Sequence, residues 1–238
     1  KSEKEIRETA RLVFENLAQT CADILLFPKI DLRRLDRFVE MGDMVQVCQS
    51  LLDEGKGLIV IASHIGNWEL LGAALKLNGL PGKPVARRVR YEPYNQWIEK
   101  LRRSVKVEVI YRNESPKEII RSLRRGEFIG LLPDQDIVTL RGVFVDFFGR
   151  PAYTTLAPVR LSLRTGAPIL GIFLIRQPQN RYQCLIGEVI RPKIKTTREA
   201  ALLEYTQQWM KSCEEIIRRY PEQWAWMHNR WKTSPAGA

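Results

Sequence analysis

A continuous apolar run, "GLIVIASH" at residues 57–64, does most to limit the folds open to this chain. Branched apolar residues without an alternating polar face are typical of a strand buried on both sides, as in a parallel sheet. A helical pattern, "NWELLGAALKLNG", follows directly, and Gly79 is its expected end. A buried strand that leads into a helix predicts a layered α/β fold.

The same alternation continues along the chain. Hydrophobic spacing predicts helices at residues 3–27, 32–40, 44–54, 94–104, 116–125, 154–165 and 198–219. Further strands are predicted at 85–89, 107–110, 128–132, 143–147, 169–176 and 182–190, the last two forming a hairpin that turns at "QPQN". No internal repeat or linker interrupts the pattern. The prediction is therefore one α/β domain, residues 1–238, with a mixed, largely parallel central sheet flanked by helices.

Basic residues are concentrated in one part of the chain. The formal net charge is +11, and residues 83–125 hold 13 Lys and Arg against 5 Glu. Such a segment is either a solvated helical surface or a patch for an anionic partner: nucleic acid, anionic lipid or an acidic carrier protein. The sign of the charge does not choose among these partners.

Cysteine spacing and hydropathy exclude some classes of protein. The four cysteines lie far apart without a CxxC pair, which argues against a zinc site or a disulfide framework. No apolar run is long enough to span a bilayer. The chain starts at Lys1, inside a predicted helix and without Met. We therefore expect that an N-terminal segment, with any membrane anchor it carries, is missing.

The motif "SHIGNWEL" places His64 at the end of the buried strand and Glu69 in the first turn of the next helix. Functional groups in open α/β sheets gather at the carboxyl ends of strands. A carboxylate bonded to one imidazole nitrogen would leave the other free to take a proton from a hydroxyl. The pair is interpreted as a general base with its orienting acid. The alternative is a histidine that caps the helix beside an ordinary first-turn acid.

A protein nucleophile is not favoured by this motif. Ser63 and His64 are neighbours on a strand, so their side chains point to opposite faces. No GxSxG turn is present, and no cysteine lies near the motif. The attacking group is therefore expected to be a substrate hydroxyl.

Blocks along nearly the whole chain resemble one known family. "SHIGNWEL", "LLPDQD", "GVFVDFFGRPAYTT", "TGAPIL" and "YPEQWAWMHNRWK" occur in the order seen in the late lipid A biosynthesis acyltransferases, the lauroyl or myristoyl acyltransferase group within the wider H-x4-[DE] lysophospholipid acyltransferases. The resemblance implies that His64 and Glu69 are catalytic. It also implies transfer of a fatty acyl chain from an acyl carrier protein thioester to a lipid hydroxyl, with no metal, cofactor or covalent enzyme intermediate.

The resemblance extends to partners and place. It implies a phosphorylated glycolipid acceptor, an acidic carrier protein and a membrane surface, and an anchor at the cytoplasmic face of the inner membrane. A same-fold enzyme that acts on a phosphoinositide mannoside, an aminoacyl lipid or a lysophospholipid is an alternative. A basic peripheral membrane or nucleic-acid-binding protein is another, although the stacking aromatics of common RNA modules are absent. Nucleic acid is therefore not an expected partner.

Further site positions follow from the resemblance. Arg88 in "RVRYEP" matches an arginine suited to acceptor phosphate, although this chain has Val and Glu where the family usually has Pro and Asn. Asp134 resembles the family's acid near the catalytic pair, with a D-x-D magnesium site together with Asp136 as the alternative. Asn67 is expected to bind substrate. Gly149 would let backbone approach the acyl chain, or simply form a turn.

The closing segment is dense in aromatic residues. Trp224, Trp226 and Trp231 are expected either at a membrane interface, which suits indole, or in the core. His228, the second of the two histidines, is expected to be structural.

Overall fold

The computed structural model describes residues 2–113 and 116–235. Its helices are α1 (Glu3–Leu25), α2 (Leu32–Leu35), α3 (Met44–Leu52), α4 (Trp68–Leu77), α5 (Glu92–Ser104), α6 (Pro116–Arg124), α7 (Ala157–Thr165) and α8 (Arg198–Arg219). Its strands are β1 (Val39–Glu40), β2 (Leu58–Ile61), β3 (Gly82–Ala86), β4 (Ile110–Tyr111), β5 (Phe128–Leu131), β6 (Gly142–Phe147), β7 (Arg150–Thr155), β8 (Ile169–Gln177) and β9 (Arg181–Ile190).

Seven strands form one mixed sheet in the order β1-β9-β8-β2-β5-β3-β4. Every neighbouring pair in it is parallel except β8 and β9, which form the predicted antiparallel hairpin. Strands β6 and β7 form a separate two-stranded hairpin. The predicted fold class, a mixed and largely parallel sheet flanked by helices, is confirmed.

Strand β2 lies in the middle of the sheet and is buried along its whole length. Its alternate residues belong to two cores: Leu58 and Val60 pack on the side of α3 and α4, and Ile59 and Ile61 on the side of α7 and α8. Complete burial of each such side chain stabilises the fold by about 1.5–3 kcal/mol. The apolar run therefore forms a strand because helices cover both faces of the sheet.

Several sequence predictions were wrong in their position or type. The strands predicted at 85–89 and 107–110 lie at Gly82–Ala86 and Ile110–Tyr111. The helix predicted over 32–40 ends at Leu35, and Val39–Glu40 instead pairs with Tyr182 and Gln183 of β9. Residues 150–155, of which 154 and 155 were predicted to begin a helix and the others were not predicted as a strand, form strand β7. In both places the backbone hydrogen bonds are made to another strand, β9 for β1 and β6 for β7. Local residue spacing does not reveal such a partner.

Among residues 2–113 and 116–235, no helix combines the length and the apolar character needed to cross a bilayer.

The turn between β2 and α4 requires glycine at position 66. Gly66 has a φ of +59°, and a Cβ added there would lie 2.0 Å from the carbonyl oxygen of Leu174 in β8. No side chain fits at that distance, and the obstacle is the backbone of a central strand. Gly66 thus allows the chain to leave β2 and turn closely against β8.

We expect Gly66→Ala to lower the free energy of unfolding by at least about 3 kcal/mol, because it adds a backbone clash to an unfavourable φ. The matched control is Gly79→Ala, with a similar φ of +83° and open space around the added Cβ. That change is expected to cost about 1 kcal/mol, from φ alone. Urea unfolding of the three proteins measures both, and equal losses would contradict a tight turn at Gly66.

Candidate active site

His64 lies just beyond the carboxyl end of β2, where the sequence predicted it. The backbone of the C-terminal segment holds this turn: Ala225 N donates to the carbonyl of His64 at 2.9 Å, and Ile65 forms a bridge with Trp224. Residues near the end of the chain therefore fix the position of a side chain in its first third.

The acid that contacts the imidazole is Asp134. Its carboxylate receives the backbone N–H of His64 at 2.9 Å and lies 2.8 Å from the ring Nδ1. Trp224 donates its indole N–H to the same carboxylate at 2.9 Å. Asp134 follows β5, the parallel neighbour of β2, so the two strand ends bring the pair together. The Asp134 side chain is 1% exposed and that of His64 is 23% exposed.

The pair alters the acidity of both groups. Burial opposes protonation of His64, but the charge and hydrogen bond of Asp134 outweigh burial and raise the pKa of His64 above its ordinary value of 6.5. Burial likewise favours the neutral form of Asp134, but the interaction with His64 holds the pKa of this carboxyl below its ordinary value. A neutral His64 that donates from Nδ1 to Asp134 has Nε2 as its free basic nitrogen.

Glu69 has a different partner from the one predicted. Its two oxygens receive Nε and Nη2 of Arg102 at 2.9 and 2.5 Å, and both side chains are 15% exposed. The Glu69 carboxylate, which the sequence spacing predicted to contact the imidazole, is therefore bound by Arg102 of α5 in a bidentate pair. Glu69 still acts on His64 through space, since its charge adds to the rise in the pKa of the imidazole. The orienting contact that we expected from Glu69 is thus made by Asp134.

The free edge of the imidazole faces a cavity of about 270 Å³. Gln135 Nε2 lies 3.5 Å from His64 Nε2, and the ring of Trp68 stands edge-on to the imidazole with centroids 5.2 Å apart. The remaining lining is mixed: Glu69, Gly72, Pro84, Val85, Ala86, Arg87, Arg102, Val107, Val109, Arg112, Leu132 and Ile137. His64 and Gln135 both line this space, so the cavity adjoins the Nε2 side of the imidazole.

Helix α1 supports the same turn from behind. Asn16 and Thr20, both buried on α1, donate to the carbonyl of Gly66 at 3.3 Å. Asn67 is fully buried, accepts from Leu70 N at 2.9 Å as the N-cap of α4, and donates to Asp23 of α1. The structure places Asn67 in this support and not on the cavity, which differs from the substrate contact that we expected.

Gly149 and Arg88 also lie away from the cavity lining. Phe148 and Gly149 both have positive φ and form the two-residue turn between β6 and β7, so the turn interpretation of Gly149 fits. Arg88 pairs with Glu92 at 3.2 Å and stacks over the ring of Tyr111. Arg87, its neighbour, lines the cavity instead.

Asp136 and His228 have structural contacts. The Asp136 carboxylate receives the N–H and hydroxyl of Thr233 at 2.9 and 3.0 Å. His228 Nε2 accepts the backbone N–H of Asp136 at 2.9 Å, and burial together with the charge of Lys232 lowers the pKa of His228. Within the described ranges, no three His, Cys, Asp or Glu side chains are grouped to hold a metal ion.

The tryptophans of the closing segment differ in burial, and the core prediction holds for Trp224. Trp224 is core, and Trp231 stacks on the buried ring of Phe147. Trp226 is 39% exposed. Sequence spacing gave no sign that Trp224 would donate to Asp134, or that Arg102, which lies in the basic segment 83–125, would pair with Glu69. Each pair is brought together only by the folded sheet.

Fold and site together define a class of protein. An α/β sheet carries, at the carboxyl edge of its central strand, a histidine whose Nδ1 is bound by a buried acid and whose Nε2 faces a cavity. This arrangement suits proton removal from a substrate hydroxyl. The class is that of α/β proteins with a buried histidine–carboxylate pair beside a cavity at the carboxyl edge of the sheet.

The comparisons with known proteins name the family. The pattern of the bacterial lipid A biosynthesis acyltransferases matches residues 1–233, and the chain belongs to this family of acyltransferases. It is 28% identical over 207 residues to the lipid A biosynthesis lauroyltransferase of Escherichia coli, covering 86% of this chain and 65% of that protein.

Two further relatives show the breadth of the similarity. A phosphatidylinositol mannoside acyltransferase of Mycolicibacterium smegmatis is 27% identical over 86% of this chain and 66% of its own length. A lipid A biosynthesis palmitoleoyltransferase of Escherichia coli is 28% identical over 77% of this chain and 58% of its own length. The chain thus spans about two thirds or less of these three relatives.

We expect Asp134→Asn to lower the pKa of His64 more than Glu69→Gln does, because Asp134 contributes both charge and a hydrogen bond and Glu69 contributes charge alone. An NMR titration of the His64 ring in the wild type and both variants measures the pKa. The identity of the orienting acid would be contradicted if Glu69→Gln gave the larger fall.

Proposed function

We propose that this chain transfers a fatty acyl group from an acyl carrier protein thioester to a hydroxyl of a lipid A precursor, with His64 as the general base and Asp134 as the acid that orients it. The observation that carries the proposal is the His64–Asp134 pair, which leaves Nε2 directed at the cavity. Membership of the acyltransferase family supports the reaction type.

The reaction can be written with His64 as the group that both accepts and returns the proton. His64 Nε2 takes the proton of the acceptor hydroxyl as its oxygen attacks the thioester carbonyl. The new C–O bond forms, the C–S bond breaks, and the imidazolium returns the proton to the departing thiolate. Asp134 stabilises the imidazolium between these steps, and N–H groups at the start of α4 would stabilise the oxyanion.

Glu69 has a supporting role in this proposal. Its bidentate pair with Arg102 fixes α4 against α5 beside the base. Removing one member of a part-buried ion pair leaves the other charge uncompensated, which is costly. Glu69 therefore shapes the wall of the cavity and adds negative potential at His64.

The acceptor has a second candidate. A relative named for phosphatidylinositol mannoside acylation is as similar to this chain as those named for lipid A. The proposed base and the cavity do not distinguish a lipid A precursor from a phosphoinositide mannoside. The transfer assay therefore compares both acceptors.

The donor proposal rests on charge. The sequence from 83 to 125 is strongly basic, and it includes α6 and also α5, whose Arg102 lines the cavity. An acidic carrier protein would be steered to this surface, and anionic headgroups would be attracted to it as well. We place the reaction at the cytoplasmic face of the inner membrane, where such a carrier and a lipid acceptor would meet.

We expect His64→Ala to abolish acyl transfer and Asp134→Asn to reduce kcat by about 1,000-fold or more, because the neutral base loses its orientation and the stabilisation of its charged form. The assay follows labelled acyl chains from carrier-protein or coenzyme A thioesters to a lipid A precursor, a phosphoinositide mannoside and a lysophospholipid.

The matched control is His228→Gln, which replaces the other histidine in the chain and should leave turnover within a few fold of the wild type. The direction of the pH dependence of activity is a further prediction. Since the base must be neutral and its pKa is raised, wild-type activity should rise with pH through a value above 6.5. In Asp134→Asn, the remaining activity should rise at lower pH. Normal turnover by His64→Ala would contradict the mechanism.

A further inference from the structure

Four neighbouring strands end at the edge that holds the base. The order β2-β5-β3-β4 places His64 after the first and Asp134 after the second. The residues that follow the next two, β3 and β4, are Arg87 and Arg112. These strand ends are tied together, since Arg112 N donates to the carbonyl of Ala86 at 3.1 Å. At about 4.8 Å per strand, they lie roughly 10–14 Å from the end of β2.

Arg87 and Arg112 differ from the other arginines nearby. Arg88, Arg102 and Arg125 each have a carboxylate partner. Within the described part of the chain, neither Arg87 nor Arg112 forms an ion pair, and the buried Nε of Arg112 has no hydrogen-bond partner. Burial and the charge of Arg87 lower the pKa of Arg112. Two positive charges lie close together without a carboxylate partner, so an anion bound between them would be stabilised by both.

Arg87 and Arg112 both line the cavity that His64 also lines. Among the described residues, its lining contains three arginines and one carboxylate, and that carboxylate, Glu69, is already bound to Arg102. Arg87 and Arg112 are therefore the two lining arginines without a carboxylate partner in the described part of the chain. An anionic group bound by these arginines would lie in the same cavity as a group that reacts at His64.

We propose that Arg87 and Arg112 bind a phosphate ester of the substrate that reacts at His64. The inference rests on the proposed function and deepens it, because it assigns the anion-binding side chains. Guanidinium groups suit phosphate because each presents two parallel N–H donors to two oxygens. Arg88, the arginine that sequence similarity indicated for this role, lies outside the cavity lining and is paired with Glu92.

The phosphate has two possible sources with the same chemistry. One is the phosphodiester of a phosphopantetheine arm that carries the acyl thioester. The other is a phosphate on the lipid acceptor. Soluble fragments of each source allow binding to be measured without turnover.

The experiment measures binding of two matched pairs of probes by calorimetry: 4′-phosphopantetheine against pantetheine, and N-acetylglucosamine 1-phosphate against N-acetylglucosamine. We expect the wild type to bind one phosphorylated probe at least tenfold more tightly than its dephosphorylated partner. The double variant Arg87→Ala/Arg112→Ala should lose this preference. Arg112→Lys, which keeps the charge without the fork, should retain part of it.

The control is Arg121→Ala/Arg124→Ala, which removes the same charge from two exposed positions of α6 and should keep the preference. Thermal unfolding checks that each variant is folded. The pair that shows the preference identifies the phosphate source. Equal binding within both pairs by the wild type, or an unchanged preference in the folded double variant, would overturn the proposal. Either result is independent of acyl transfer, so failure of the proposed function would be seen separately in the turnover assay.

Discussion

The contact between His64 and Asp134 is the interaction on which the rest of the site depends. One carboxylate receives a backbone N–H, the imidazole and the indole of Trp224, so it joins the ends of two parallel strands to the closing segment of the chain. A buried charge is tolerated when such donors surround it. The same carboxylate fixes the imidazole, so one buried acid both stabilises this part of the fold and holds the proposed base.

The backbone around that contact is held from three directions. The Gly66 turn packs against β8, its carbonyl receives Asn16 and Thr20 of α1, and its N–H donates to Gln223 at the end of the chain. Elements far apart in sequence thus contact the short turn at residues 64–67. Pre-organisation of this kind keeps a base in place without reorganisation during the reaction. It also explains why polar side chains on α1 are buried.

The central fold could be predicted from sequence, and much of the site could not. The fully apolar β2 and the periodic α1 and α8 have local signals that tertiary packing reinforces. Strands β1 and β7 have none, because their partners decide their conformation. His64 was identifiable from its place after β2. Its acid lies 70 residues away, and Glu69, the nearer candidate by spacing, is bound by an arginine that only the folded sheet brings close.

Asp134 is expected to hold His64 as the Nδ1–H tautomer, so that Nε2 is the proposed base. The ¹⁵N chemical shifts of the His64 ring nitrogens, recorded at a pH where the ring is neutral, distinguish the two tautomers. A His228→Gln sample gives the assignment, because the chain has only two histidines. We expect a protonated Nδ1 and an unprotonated Nε2. A ring protonated at Nε2 would contradict this expectation.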